Sequence, residues 1–295
     1  LAGRFVERGV RGDFSGLSGK IANVPLLLSD GGGGWQVIRG DVQIDGRLLV
    51  SDELDPPRFN PLVTEDLRLT LIDNRIRAEG WLQHPASGTR VIRATVDHHL
   101  RSGAGGAVLD VPGIAFAQGG LQPDQLSRLT TGVVALVDGT LTGQGRIAWD
   151  SQGTRSTGTF STEGMNLAAP FGPVENLTTT IEFTDLLGLT SAPGQVARIG
   201  LVRPGIDVYD GTLAYQLLPN YQVRIESGRW PFAGGELILE PSLLDFSRPT
   251  TKYLTFRVVG MDAARFIQQM EFSNISATGT FDGIIPMRFG RSDET

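Results

Sequence analysis

The chain has 295 residues, 40% hydrophobic and 20% charged, with 39 glycines, no cysteine and a net charge of -6. Apolar residues recur from end to end, which excludes a disordered chain. The lack of cysteine excludes disulfide frameworks, thiolate metal sites and cysteine nucleophiles, and an acidic chain without a basic block excludes an ordinary nucleic-acid binder.

The chain opens on Leu1 with no signal peptide, and Leu1–Gly9 reads as the middle of a longer sequence. The expectation is a fragment whose membrane anchor lies outside it, since no apolar run here approaches the ~18 residues of a membrane helix. Ser29–Gly34 reads as a Gly-rich loop. Tight turns then punctuate alternating segments. Val42–Ile44 is expected to turn at Asp45-Gly46 into Arg47–Val50, and Leu67–Ile72 at Asp73-Asn74 into Arg75–Ala78. These dipeptides tolerate the positive φ that a two-residue hairpin demands. Ser102–Gly120, rich in Gly and Ala, reads as a loop within one continuous sheet over 1–295, or as a subdivision near 102–120. Pro123 and Asp124 open a short helical turn carrying Leu126 and Leu129.

Further on, Val133–Val137 is expected to turn at Asp138-Gly139, and Ile206–Tyr209 at Asp210-Gly211. The strand Thr212–Leu218 then turns at Pro219-Asn220 into Tyr221–Glu226. Asp262 is placed to cap a helix in which Ala263, Phe266, Ile267 and Met270 form one apolar stripe. The pattern predicts about sixteen strands joined by short loops. The fold class is therefore all-β, a long curled antiparallel meander with one or two short helices lying against it.

Motifs that carry chemistry are scarce. His98 and His99 are adjacent and point to opposite faces of a strand, so Asp97-His98-His99 reads as a solvated strand end. Gly19-Lys20 is followed by Ile21, and Ser29–Gly34 lacks a Gly-Lys-Ser/Thr ending, so neither is a phosphate loop. Gly-x-Ser-x-Gly and Gly-x-Gly-x-x-Gly are both absent. Carboxylates such as Asp52, Glu53 and Asp185 sit at predicted turns, where backbone hydrogen bonds account for them. Asn176-Leu177-Thr178 and Asn274-Ile275-Ser276 match a glycosylation sequon that carries little information.

The informative pattern is one of faces. Leu213, Tyr215 and Leu217 share a face, as do Val223 and Ile225, Leu237 and Leu239, and Leu254, Phe256 and Val258. A plain closed core would produce this pattern. So would a long sheet curled until these faces line an apolar groove. Sixteen strands cannot stay flat and open, and at ~4.8 Å each they would extend roughly 75 Å, the length of a track.

The order of segments in the second half shifts the balance toward the groove. Gly205–Gly211 is followed by the strand through Tyr215, then by Trp230-Pro231-Phe232-Ala233-Gly234-Gly235 and Leu239-Glu240-Pro241. The helix Met261–Met270 leads into Ala277–Met287. This order resembles the C-terminal region of the YdbH-like family, within the AsmA/TamB superfamily of Gram-negative bacteria, most clearly over residues 155–290.

The resemblance implies a protein anchored in the inner membrane by an N-terminal helix and crossing the periplasm. It implies an open β-sheet groove (a β-taco) that moves phospholipid between inner and outer membranes. It also implies a small outer-membrane lipoprotein partner that pairs by β-strands. No catalytic residue and no cofactor is carried over. The family has also been labelled "dicarboxylate transport", for which a sheet without membrane spans offers no physical basis. The expectation is thus a non-enzymatic, lipid-conducting segment. Its groove is formed by Leu213, Tyr215, Leu217, Val223, Ile225, Leu237, Leu239, Leu254, Phe256 and Val258, with headgroups in solvent at the open seam.

Two rivals make different predictions. A structural or adhesive β-protein would have a closed core and bind no lipid. A carbohydrate-active one needs a row of exposed aromatics, which Trp35, Trp81, Trp149 and Trp230 do not form in sequence.

Overall fold

The computed structural model describes residues 3–7, 9–22, 41–55, 57–248, 250–270 and 274–289; Ser29–Gly34 and Trp35 lie outside them. Among the described residues there are eighteen strands and two short α-helices, and the strands pair antiparallel. The all-β antiparallel class is therefore as the alternation predicts. Two compact units divide the chain. The first holds 1–114, 124–129 and 143–157, and the second holds 115–123, 130–142 and 158–295.

In the first unit, β1 (Gly3–Glu7), β2 (Val10–Ala22), β3 (Asp41–Asp52) and β4 (Leu62–Ile72) follow as a meander. β5 (Arg75–Gln83), β6 (Arg90–His99) and β7 (Gly105–Phe116) continue it, each strand pairing with the next. Asp73 and Asn74 both adopt positive φ, at 47° and 63°, and make the hairpin between β4 and β5 as expected. Leu62, Leu67, Leu82 and Val91 turn inward and are buried. Charges alternate outward and pair across strands. Arg75 forms a two-pronged contact to Asp97, Glu79 lies between Arg68 and Arg93, and Arg90 covers the Trp81 ring at 5.4 Å.

Asp52 and Arg58 form a buried ion pair. The Asp52 side chain is 0% exposed and Arg58 only 10%, and Asp52 accepts the Arg58 Nε and backbone N–H bonds, each at 2.7 Å. Burial pushes the Asp52 carboxyl up. The Arg58 hydrogen bonds, that from Leu54 N–H and the Arg58 charge outweigh burial, and hold it below its usual range.

β8 (Ala135–Asp150) and β9 (Gly153–Ala169) run through both units. The second unit goes on with β10 (Gly172–Asp185), β11 (Thr190–Ser191), β12 (Gln195–Val202), β13 (Val208–Leu218) and β14 (Gln222–Phe232). It ends with β15 (Gly235–Leu239), β16 (Ser242–Asp245), β17 (Lys252–Asp262), and β18 (Thr280–Phe289). Helix α1 (Pro123–Leu126) is the predicted turn, and α2 (Ala263–Gln269) starts where Asp262 accepts the Arg265 N–H at 2.9 Å.

Three expected hairpins are corrected. Asp45-Gly46, Asp138-Gly139 and Asp210-Gly211 lie inside continuous strands β3, β8 and β13. The β3–β4 register shifts just after Gly46, while Asp210 and Gly139 carry φ of 56° and 144°. Positive φ serves a bulge as well as a turn, so the dipeptide does not distinguish them. The turn after β13 does form, with positive φ at Asn220 and Tyr221. Gly105–Phe116, expected as part of a loop, is strand β7. Its first glycine is required there: a Cβ on Gly105 would stand 2.7 Å from Trp149 Cζ2 and 2.6 Å from the Asp97 carbonyl.

Candidate functional site: an apolar sheet face

The second unit gathers its large apolar side chains into one cluster that takes residues from β10, β12 to β18 and α2. All ten expected face positions belong to it. Tyr215, Ile225, Leu239, Leu254 and Val258 are buried, at 2–8% exposure, and Leu213, Leu217, Val223, Leu237 and Phe256 are half-buried against them.

Register explains the convergence. Leu213 stands opposite Gly228, Gly228 opposite Leu239, and Leu239 opposite Phe256, so one row crosses four strands. A neighbouring row runs Trp230, Leu237, Val258. A third joins Tyr215 to Ile225, and a fourth Leu217, Val223 and Leu244. The extra residue of this bulge is Glu226, between the Ala214–Ser227 and Tyr215–Ile225 pairs, and it keeps both halves of β14 facing inward, with Gly228 and Trp230 on one side of it and Ile225 and Val223 on the other.

Alternation alone does not reveal the two ends of this face. The Phe171 ring, in the turn between β9 and β10, packs edge-on against Phe289 of β18 at 5.9 Å, so in this unit an early hairpin meets the last strand. At the other end of β17, Phe266 of α2 packs edge-on against Phe232 and Phe281. The sequence offers the helix stripe as a signal for the second contact. It offers none for the first, which joins rings more than a hundred residues apart in the chain.

Trp230 is the largest residue that the face pattern left out. Its ring covers two glycines: a Cβ on Gly211 would fall 1.8 Å from Nε1, and one on Gly228 would fall 2.8 Å from Cζ3. Trp230 Nε1 is buried with no hydrogen-bond partner among the described residues. Other polar groups within the cluster are better served. The Tyr215 hydroxyl meets Thr179 Oγ1 at 3.1 Å, and burial raises its pKa. Ser191 Oγ accepts the Leu217 N–H at 2.9 Å.

Three ion pairs of this unit stand on its exposed side, Arg203–Glu175, Arg229–Glu236 and Arg257–Glu240. Among the described residues, no group of three or more His, Asp or Glu could hold a metal, and no helix is long and apolar enough to cross a membrane. In the first unit, His98 Nδ1 accepts the Trp149 indole N–H at 3.1 Å.

β18 forms an edge. Its registers all run to β17, and its other side makes no rung among the described residues. Ile284 is 71% exposed and Ile285 48%. Chemically, the unit therefore offers an apolar face flanked by an apolar strand edge, a binding arrangement for greasy chains or for another strand.

A family model described as YdbH-like, "Intermembrane phospholipid transport protein YdbH", matches residues 1–293. The match takes in the first half of the chain as well as the segments over 155–290. No curated protein and no solved structure matches the chain.

Proposed function

Because the chain belongs to the YdbH-like family of intermembrane phospholipid transport, we propose that it is a lipid-conducting segment whose second unit shields acyl chains on its apolar face. The observation that carries the proposal is the continuity of rows from β13 to β17, with Leu213, Leu237 and Phe256 only half covered by neighbours. Each CH₂ taken from water is worth ~0.8 kcal/mol, so a chain of ~15 carbons meets a barrier near ~12 kcal/mol in water. A half-covered apolar row offsets that barrier without a chemical step. It holds chains loosely, because contacts spread along a face are not a fitted pocket.

The family's intermembrane role supports a periplasmic location, and the same reading holds the protein at the inner membrane. The unpaired side of β18 is the place for a partner strand, such as one from a small outer-membrane lipoprotein. The test is mass spectrometry of lipids extracted from the purified chain, with a β-protein of similar size as control. About one or more phospholipids per chain, depleted by Leu213→Asp and Phe256→Asp, is the expected result. Normal lipid occupancy in both variants overturns the face assignment.

A second reading has its own observation. Val258 and Leu239 are as buried as any protein core, at 2% and 4% exposure. A structural or adhesive β-protein with a closed core would show this too, and it predicts lipid no higher than the control.

A further inference from the structure

One cation starts from the apolar side of this unit. Lys252 opens β17 at the parity of Leu254, Phe256 and Val258, opposite Phe289, and only 9% of it is exposed. Its ammonium donates to the Arg248 carbonyl at 2.9 Å and the Thr250 carbonyl at 2.7 Å, and lies 5.4 Å from the Phe246 ring centroid. Among the described residues, no carboxylate stands within ion-pair distance of it. Asp245, the nearby acid, is engaged by the N–H and hydroxyl of Ser247 at 2.8 and 2.6 Å. This contrasts with Arg203, Arg229 and Arg257, each matched to an acid on the exposed side.

A second uncompensated group lies close in the chain. Ser242 pairs with Ile225 and so shares the apolar side, and its Oγ is buried with no hydrogen-bond partner among the described residues. Both groups sit where two strands part. The rungs of β16 run to β14, and those of β17 run to β15 and β18, so β16 and β17 share none among the described residues. Ser242 begins one prong of this fork and Lys252 the other, and the connecting segment supplies the carbonyls that hold the ammonium.

We infer that this fork is the phosphate site of the lipid face: Lys252 pairs with the phosphate of a phospholipid, and Ser242 Oγ–H donates to one of its oxygens. The inference rests on the lipid reading of the same face and adds where the headgroup stops. Chemistry favours an anion here. The ammonium of a residue nine-tenths buried, held by two carbonyls and the Phe246 ring with Asp245 beyond ion-pair distance, gains from a full negative charge in contact with it. Lysine also has a third N–H, so it can keep both carbonyls and still meet the anion. The acyl chains would then run from the fork over Phe256, Leu237 and Leu213.

The test loads the chain from vesicles of dioleoylphosphatidylglycerol or of dioleoylglycerol in a neutral carrier lipid, and counts bound lipid by native mass spectrometry. The unaltered chain should retain the phosphate lipid about tenfold better, the scale of one charge-assisted hydrogen bond. Lys252→Met should bring that ratio near one while dioleoylglycerol uptake stays unchanged, Lys252→Arg should keep most of it, and Ser242→Ala should lower it severalfold. Circular dichroism checks each fold.

A Lys252→Met chain that keeps the full ratio overturns the inference, as does an unaltered chain that takes both lipids equally. In either of those outcomes the acyl reading stands. If millimolar inorganic phosphate abolishes the preference without expelling lipid, the fork is a free-anion site and the headgroup assignment falls. An unaltered chain that retains neither lipid overturns the lipid reading and the fork together.

Discussion

Cutting leucine back to alanine separates a core position from a conducting one. Leu239 is 4% exposed and stands between Gly228 and Phe256, whereas Leu213 is half-buried between Ala197 and Gly228. A buried Leu→Ala costs the transfer of three carbons plus a cavity, so Leu239→Ala should lose about 3 kcal/mol of stability. At Leu213 the surface is partly wet already and leaves little cavity, so the loss should be about 1 kcal/mol. Lipid binding should show the opposite order. If a bound chain covers what remains of Leu213, its removal costs about 1.2 kcal/mol of contact, or about eightfold in retention. Leu239 lies beneath the chain, and its variant should retain lipid nearly as well. Urea titration reads stability and native mass spectrometry reads retention. Equal stability losses at both positions, with retention unchanged at Leu213, would show that Leu213 is ordinary core and that nothing rides over it.

Other consequences can be checked separately. Gly211→Ala should drive a methyl into the Trp230 indole, 1.8 Å from Nε1, and cost about 2 kcal/mol or more, read by urea midpoint and a shift of tryptophan emission. An unchanged midpoint would mean that Trp230 does not pack on Gly211. The Asp52 carboxyl sits below its ordinary 3.8, so its contribution is complete above that value and drains away as pH falls through the lower folded value. Asp52→Asn should lose about 3 kcal/mol near neutral pH, because the buried Arg58 loses the carboxylate that accepts its Nε, Nη2 and backbone N–H bonds, and should show a shallower acid slope below pH ~4. Equal slopes in the two proteins would refute the assignment. Asp262→Ala removes the acceptor of the Arg265 N–H and should cost about 1 kcal/mol without changing lipid retention.

Period-2 faces were legible in the sequence because a strand's side is fixed by parity. That is why Leu254, Phe256 and Val258 point the same way as Leu213 and Tyr215. The α2 cap was legible too, since Asp262 precedes an apolar stripe. What failed was local chemistry that serves two ends. Asp210-Gly211 reads as a turn, yet the strand runs on through it with its register to β12 unbroken, because a single positive φ can be taken up within a strand as well as in a hairpin. β7 is hidden because its first glycine is placed by Trp149, more than forty residues later, and no window around Gly105 contains that ring. Lys252 was overlooked because a lysine opening a strand is usually solvated. Its parity with Leu254 was the available signal.

Each unit is discontinuous along the chain, and this bears on how the protein can be made or divided. The first unit needs 143–157 to complete it, and the second already owns 115–123. On the ribosome, the first unit must therefore wait for residues that emerge after part of its neighbour. A gene bisected at any one position from 124 to 142 gives two products that each carry pieces of both units. Neither half is then a self-sufficient module, and any cut meant to isolate one unit must also carry the residues that complete it.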